Sequence, residues 1–150
     1  MQVKFVAGAT GVIVAVAVSA GAAAAPPKGG AAGPSENWQQ IGHDDNGSCD
    51  HYFDPHTLTT TADGKSAWFM RSCAKLLGKP GHQFRSSVFA VSFHCEDHTS
   101  AIMQMVTYPK AFGTGMPVDS SSTPPAMREY SGSPPGTMGE AWQIAGCGHP

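Results

Sequence analysis

The chain has 150 residues, 41% of them hydrophobic, a length and composition that suit one domain with one modest core. Its formal net charge is −2, from 9 basic and 11 acidic residues without a basic run, which argues against nucleic acid or an anionic membrane surface as partner. Its four cysteines include no C-x-x-C spacing, so a thioredoxin-like motif, a haem-attachment motif and a zinc site built from close ligand pairs are all disfavoured.

Met1–Lys4 is a short positive segment, Phe5–Ala20 an uncharged apolar run, and Gly21–Ala25 a set of small residues in which Ala22 and Ala24 form an A-x-A cleavage choice. Residues 1–25 therefore read as a secretory signal peptide, in preference to a retained membrane anchor, because Ala and Gly make the run weakly apolar. No cysteine stands at the cleavage point to carry a lipid. Residues 26–35, rich in Pro and Gly, read as a flexible linker, and residues 36–150 as the folded domain.

Glu36–Gly42 opens the domain as a short strand with Trp38 as a core anchor. A turn at His43–Ser48 follows, its Asn46-Gly47 pair favouring positive φ. Cys49–Asp54 resumes as strand and is expected to break at Pro55, with the Thr-rich His56–Thr61 extended beyond it and a turn at Ala62–Lys65. Lys65–Lys75 is the next strand, and the loop Leu76–Gln83 leads to the most regular stretch of the chain, Phe84–Asp97. There Phe89, Val91, Phe93 and Cys95 alternate with Val88, Ala90, Ser92 and His94, the signature of a half-buried strand. Ala101–Tyr108 is its hairpin partner, Lys110–Val118 a glycine-rich turn, Asp119–Pro125 a Ser/Pro-rich surface loop, and Met127–Tyr130 a short edge strand.

Pro134-Pro135-Gly136 ends extended structure, and Thr137-Met138-Gly139-Glu140 has the form of a capping box, with the Glu140 carboxylate reaching back to Thr137. Ala141, Trp142, Ile144 and Ala145 then fit a short helix with Gly146 as its C-terminal cap. A helix this short needs an apolar surface beneath it. The order of elements predicts an α+β fold, a small antiparallel sheet of about five to six strands packed by one C-terminal helix. An even cysteine count behind an export signal implies two disulfides in an oxidising compartment, with three pairings open. Placement at the ends of successive strands favours Cys49 with Cys73, leaving Cys95 to tie the helix through Cys147.

With these residues in order, the chain resembles the surface-adhesin protein E family of bacterial exported proteins. The resemblance runs from Trp38 to Cys147: Asn37-Trp38-Gln39-Gln40-Ile41, Tyr52-Phe53-Asp54, Ala67-Trp68-Phe69, Ser86-Ser87 to Cys95, Tyr108 to Gly113-Thr114-Gly115, and Pro135-Gly136-Thr137 to Cys147. It implies a small antiparallel sheet backed by the C-terminal helix, a homodimer among its assemblies, and protein partners, host matrix and serum proteins in the better-known members; the export signal and the cysteines imply a periplasmic, surface or secreted location, and no cofactor is expected. The family's usual disulfide corresponds to Cys95 and Cys147, so Cys49 and Cys73 are additions to it. The segment Asp119–Pro125 departs from a more regular connection.

Candidate chemistry is sparse. His94, Asp97 and His98 offer a transition-metal set, and a metal- or small-ligand-binding role is the alternative to adhesion, but spacing this loose reads more simply as a solvated turn. Ser86, Ser87 and Ser92 lie on a strand and not on a nucleophile elbow. Asp44-Asp45 and Glu96-Asp97 are sequence neighbours, which a strand points to opposite faces, so neither is an acid/base dyad. Gly113-Thr114-Gly115 is too short for a phosphate loop, and Met70, Met103 and Met105 sit at core spacing. The sequence thus reads as a non-catalytic binding module whose contacts fall on the sheet face opposite the helix or on an exposed strand edge.

Overall fold

The computed structural model describes residues 37–61 and 64–148; the signal-peptide and linker expectations, residues 1–25 and 26–35, lie outside them. Seven strands form one antiparallel sheet: β1 Gln39–His43, β2 Cys49–Thr61, β3 Gly64–Leu77, β4 Phe84–His94, β5 Thr99–Tyr108, β6 Asp119–Ser122 and β7 Ser131–Gly132. They pair in chain order from β1 to β6, and β7 pairs with β5 at its other end, through Thr99 and Ser100. Among the described residues a single α-helix, α1 Met138–Cys147, packs across β1 to β4. The α+β architecture with one C-terminal helix is as the order of elements predicts.

Alternation splits the core into two layers. Phe53, Ala67, Phe69, Phe89, Val91 and Phe93 face the helix and receive Trp142, Ala145 and Cys147. The Trp142 ring lies 5.6 Å from Phe69 and 5.4 Å from Phe89, centroid to centroid, so one helical side chain caps the centre of the sheet. Tyr52, Trp68, Met70, Val88 and Ala90 face the other way, with Trp38, Met103, Tyr108 and Phe112 packed against them.

That second layer corrects the expectation of a half-buried β4, since every residue from Ser86 to Phe93 is buried. The connections supply the cover. Ser86 Oγ donates to the Lys110 carbonyl at 2.6 Å and accepts from Gly113 N–H at 2.8 Å, while Phe112 N–H donates to Ser72 Oγ at 3.2 Å. These bonds fold the 109–118 segment over one end of the face. At the other end Tyr130 donates to Ser92 Oγ at 3.0 Å and stacks on His94.

Three further expectations change. The extended His56–Thr61 is part of β2 rather than separated from it at Pro55, because the register with β3 is interrupted between Asp54 and Thr59 and no ladder N–H is required of the proline. Asp119–Ser122, expected as loop, pairs with Thr107–Gln104 of β5 through its backbone, to which Thr107 Oγ1 also donates at the Asp119 carbonyl; all four of its residues are exposed, so it shows no hydrophobic alternation. Conversely, Met127–Tyr130 is not a strand: Met127 ends a short 3-10 turn, Pro125–Met127, and β7 begins only at Ser131.

At the start of α1, Thr137 Oγ1 accepts from Glu140 N–H at 3.4 Å, but the Glu140 carboxylate accepts from Gly136 N–H at 2.7 Å rather than returning to Thr137. At its end the cap is Gly148, at φ 88°, whose N–H donates to the Ile144 carbonyl. Gly146 lies inside the helix and is buried, where it admits the Phe93 ring. Two disulfides close the fold, Cys49–Cys73 across β2 and β3 and Cys95–Cys147 between the end of β4 and α1. The second holds a ten-residue helix that would not persist alone in water.

Candidate functional site

A cleft of about 370 Å³ opens along α1, from Glu140 in its first turn to Gly148 at its end. It is bounded by the turn after β4 (Cys95, His98), by Ser133 after β7, and by Glu140, Gln143, Ile144, Cys147 and Gly148 of the helix and its cap. The disulfide and Ile144 give it an apolar wall. Gln143 is only 7% exposed; its amide nitrogen donates to the Thr99 carbonyl at 3.4 Å, and its Oε1 is buried without a hydrogen-bond partner. The amide orientation follows from Thr99, because a reversed amide would set oxygen against oxygen. Lys65 Nζ sits on the Cys147 carbonyl at 3.2 Å, a cation held by the electronegative end of the helix.

A second polar feature crosses the helix side of the sheet one row from the aromatic row. Register aligns His51 with Arg71 and Arg71 with Ser87, next to Phe53, Phe69 and Phe89. His51 is buried beside Trp142, with its Nε2 2.7 Å from an Asp44 carboxylate oxygen. Burial pushes the His51 imidazole below its ordinary pKa; the Asp44 hydrogen bond opposes this without cancelling it, and the nearby Arg71 charge adds to the fall. His51 Nδ1, Arg71 Nε, Ser87 Oγ and Trp142 Nε1 are buried without partners among the described residues.

The singled-out histidines do not converge. His94 stacks on Tyr130 at 3.8 Å, on the side of the sheet away from the helix, whereas His98, at φ 52°, lines the cleft. Among the described residues no group of three or more His, Cys, Asp or Glu side chains is placed to hold a metal ion. Ser86 and Ser92 serve structural hydrogen bonds, Ser87 is enclosed, and Asp44 is engaged by His51. Met70 is buried within the second core layer, Met103 packs against that layer, and Met105 against the first. Gly113, at φ 64°, lies over Val88 in the covering segment.

The outer edge of the sheet is left open along half of β2. β1 pairs only with Asp50–Phe53, and no described strand pairs with the outer side of β2 beyond that point. Thr57–Thr61 there is uncharged and largely exposed, with Leu58 at 39%.

A family model for surface-adhesin protein E matches residues 38–148, most of the chain and the whole of the described sheet and helix. The chain belongs to this family. Among solved structures, Haemophilus influenzae protein E, in its crystal form II, superposes with a TM-score of 0.53 at 13% identity, covering 83% of this chain and 94% of that one. At that identity the likeness is one of fold. Among curated proteins no relative matches this sequence. For a surface-adhesin E chain, two disulfides and no free cysteine among the described residues fit an oxidising environment outside the cytoplasm. No helix among the described residues is long and apolar enough to cross a membrane.

Sequence reasoning missed both the cleft and the polar row. The cleft joins a turn, a loop serine and one helix face that are far apart in the chain, and no local spacing announces it. The row had a faint signal, polar His51, Arg71 and Ser87 at inward-facing positions of strands otherwise apolar on that side.

Proposed function

We propose that this protein is an exported, non-catalytic module that adheres to other proteins at or outside the cell envelope, after loss of residues 1–25 as a signal peptide and with residues 26–35 as a spacer. Family membership across residues 38–148 carries the reading, and the disulfide pair supports the compartment. Of the two surfaces expected to make contact, the sheet face opposite the helix is filled by Tyr52, Trp68, Met70, Val88 and Ala90 and covered by connections. The exposed edge of β2 is the surface that remains. An uncharged, Thr-rich edge with free backbone groups suits addition of a partner strand.

The test is surface plasmon resonance of the exported protein against purified matrix and serum proteins, with Leu58→Lys as the edge variant. Saturable binding that the lysine weakens by about tenfold, at unchanged melting temperature, supports the reading, since charge on an edge blocks strand addition. Absence of saturable binding to every member of the panel overturns adhesion, and binding indifferent to Leu58→Lys overturns the edge.

A further inference from the structure

We propose that the Cys95–Cys147 bond is a site of thiol–disulfide exchange, at which an incoming thiol forms a mixed disulfide with Cys95 and releases the end of helix α1 from the sheet. This chemistry needs no adhesion partner. An attacking sulfur must reach one sulfur of a disulfide, so access decides which of two bonds reacts. Cys49 and Cys73 face each other in the β2–β3 ladder and are each 3% exposed, which shields their bond while the sheet is paired. Cys95 and Cys147 are both half-buried and both border the cleft. Their bond also lies outside every strand ladder. It joins the residue after β4 to the last residue of α1, so its sulfurs can part without breaking strand pairing.

The surroundings of the bond set the direction of attack. A thiolate that bonds to Cys95 Sγ breaks the S–S bond and leaves its electron pair on Cys147 Sγ. That sulfur lies 4.0 Å from Gln143 Nε2, whose N–H reaches it from one turn back in the helix, a donor that steadies a thiolate there. Lys65 Nζ, 3.2 Å from the Cys147 carbonyl, brings positive charge to a helix end that by itself disfavours an anion. His98 borders the same cleft with an imidazole that can carry the proton of the incoming thiol to Cys147. A second thiolate then attacks the incoming sulfur of the mixed disulfide, and Cys95 leaves as a thiolate that takes up the second proton. Two thiols have then become one disulfide and one protein disulfide two thiols, with no other oxidant or reductant. What remains of the lid is a ten-residue helix held by packing alone.

The experiment exposes the intact, oxidised protein at pH 7.5 to a thiol in two arms. One arm uses reduced glutathione; the other uses a reduced thioredoxin-like protein whose second cysteine is serine, so that a mixed disulfide accumulates. Samples are quenched in acid at timed points, capped with N-ethylmaleimide and mapped by peptide mass spectrometry, with far-ultraviolet circular dichroism showing that the sheet stays folded. The expected result, in one arm or both, is opening of Cys95–Cys147 at least about tenfold faster than Cys49–Cys73, with the mixed disulfide on Cys95. Reaction in the glutathione arm assigns a small thiol as reactant, and reaction in the second arm alone assigns a protein thiol. Lys65→Met should slow the opening by about threefold in the folded protein and leave the rate in urea unchanged, a difference that a merely structural lysine would not produce. Opening of both bonds at one rate, earlier opening of Cys49–Cys73, or no opening in either arm overturns the proposal. So does a mixed disulfide on Cys147 in place of Cys95, or a folded Lys65→Met protein that reacts as fast as the wild type.

Discussion

Gly146→Ala isolates the contact on which the helix seat depends. Replacing an interior helical glycine by alanine ordinarily stabilises by about 1 kcal/mol. At this position an added methyl would lie 2.5 to 2.7 Å from three carbons of the Phe93 ring. Neither side can yield easily. Phe93 is fully buried and set edge-to-face against Phe69 at 5.7 Å, and the residue after Gly146 is bonded to Cys95. Overpacking of this kind costs about 1–3 kcal/mol, and with the clash this close we take the upper half of that range, which leaves a net loss of about 1–2 kcal/mol after the propensity gain. For a domain of this size that is a fall in melting temperature of about 4–10 °C. Denaturant and thermal unfolding followed by Trp fluorescence measure it. Phe93→Leu in the same background should restore part of the loss, so the double-mutant cycle should show a coupling of about 1 kcal/mol. A Gly146→Ala protein as stable as the wild type, or more so, would refute the packing described for α1.

Three other outcomes follow from the same structure. Replacing Cys95 and Cys147 by serine should cost about 4 kcal/mol, and replacing Cys49 and Cys73 about 3.5, from the closure of loops spanning 52 and 24 residues; only the first pair should also lose the near-ultraviolet signal of Trp142, and its retention would show that α1 docks without its tether. Ser86→Ala should destabilise by about 2 kcal/mol and open the 109–118 segment to proteolysis, because the Lys110 carbonyl and Gly113 N–H lose a shared buried partner. Because burial holds the His51 pKa below 6.5, the unfolded chain takes up its proton first as pH falls; stability should be full above that value and decline below it, by at most about 1.4 kcal/mol per pH unit, until the folded-state pKa is passed. Urea midpoints that stay level between pH 7.5 and 5.5 would show that His51 is not buried in its neutral form.

The fold was legible where physics acts locally. Alternation placed β4 and sorted its side chains to the correct faces, and Thr137 announced the start of α1. It failed where tertiary pairing overrides composition. Pro55 reads as a stop, but lies where β2 has left its ladder with β3, and the serines of β6 carry no pattern because backbone pairing to β5 is their whole contribution. Gly146 reads as the cap in sequence, but the helix runs on through it to Gly148, because residue 146 is the place where the Phe93 ring presses against the backbone. Ser92 and His94 look solvent-facing by type, and Tyr130, from a segment far along the chain, is what covers them. The cleft was least legible, since the loss of a partner for Gln143 Oε1 exists only once Thr99 has claimed the amide nitrogen.

The sheet's neighbours in space are its neighbours in the chain, from the first strand to the sixth. A polypeptide threading N-terminus first through any narrow exit can therefore zip each hairpin as it appears, without waiting for distant segments. The lid is the exception. Phe69, Phe89 and Phe93 stay bare until Trp142 and its neighbours, which follow every strand of the sheet in the chain, swing back across them. Synthesis or passage that stalls before that point leaves a paired but oily platform, a species prone to clumping, so the hazard is greatest in the interval between the last strand and the helix.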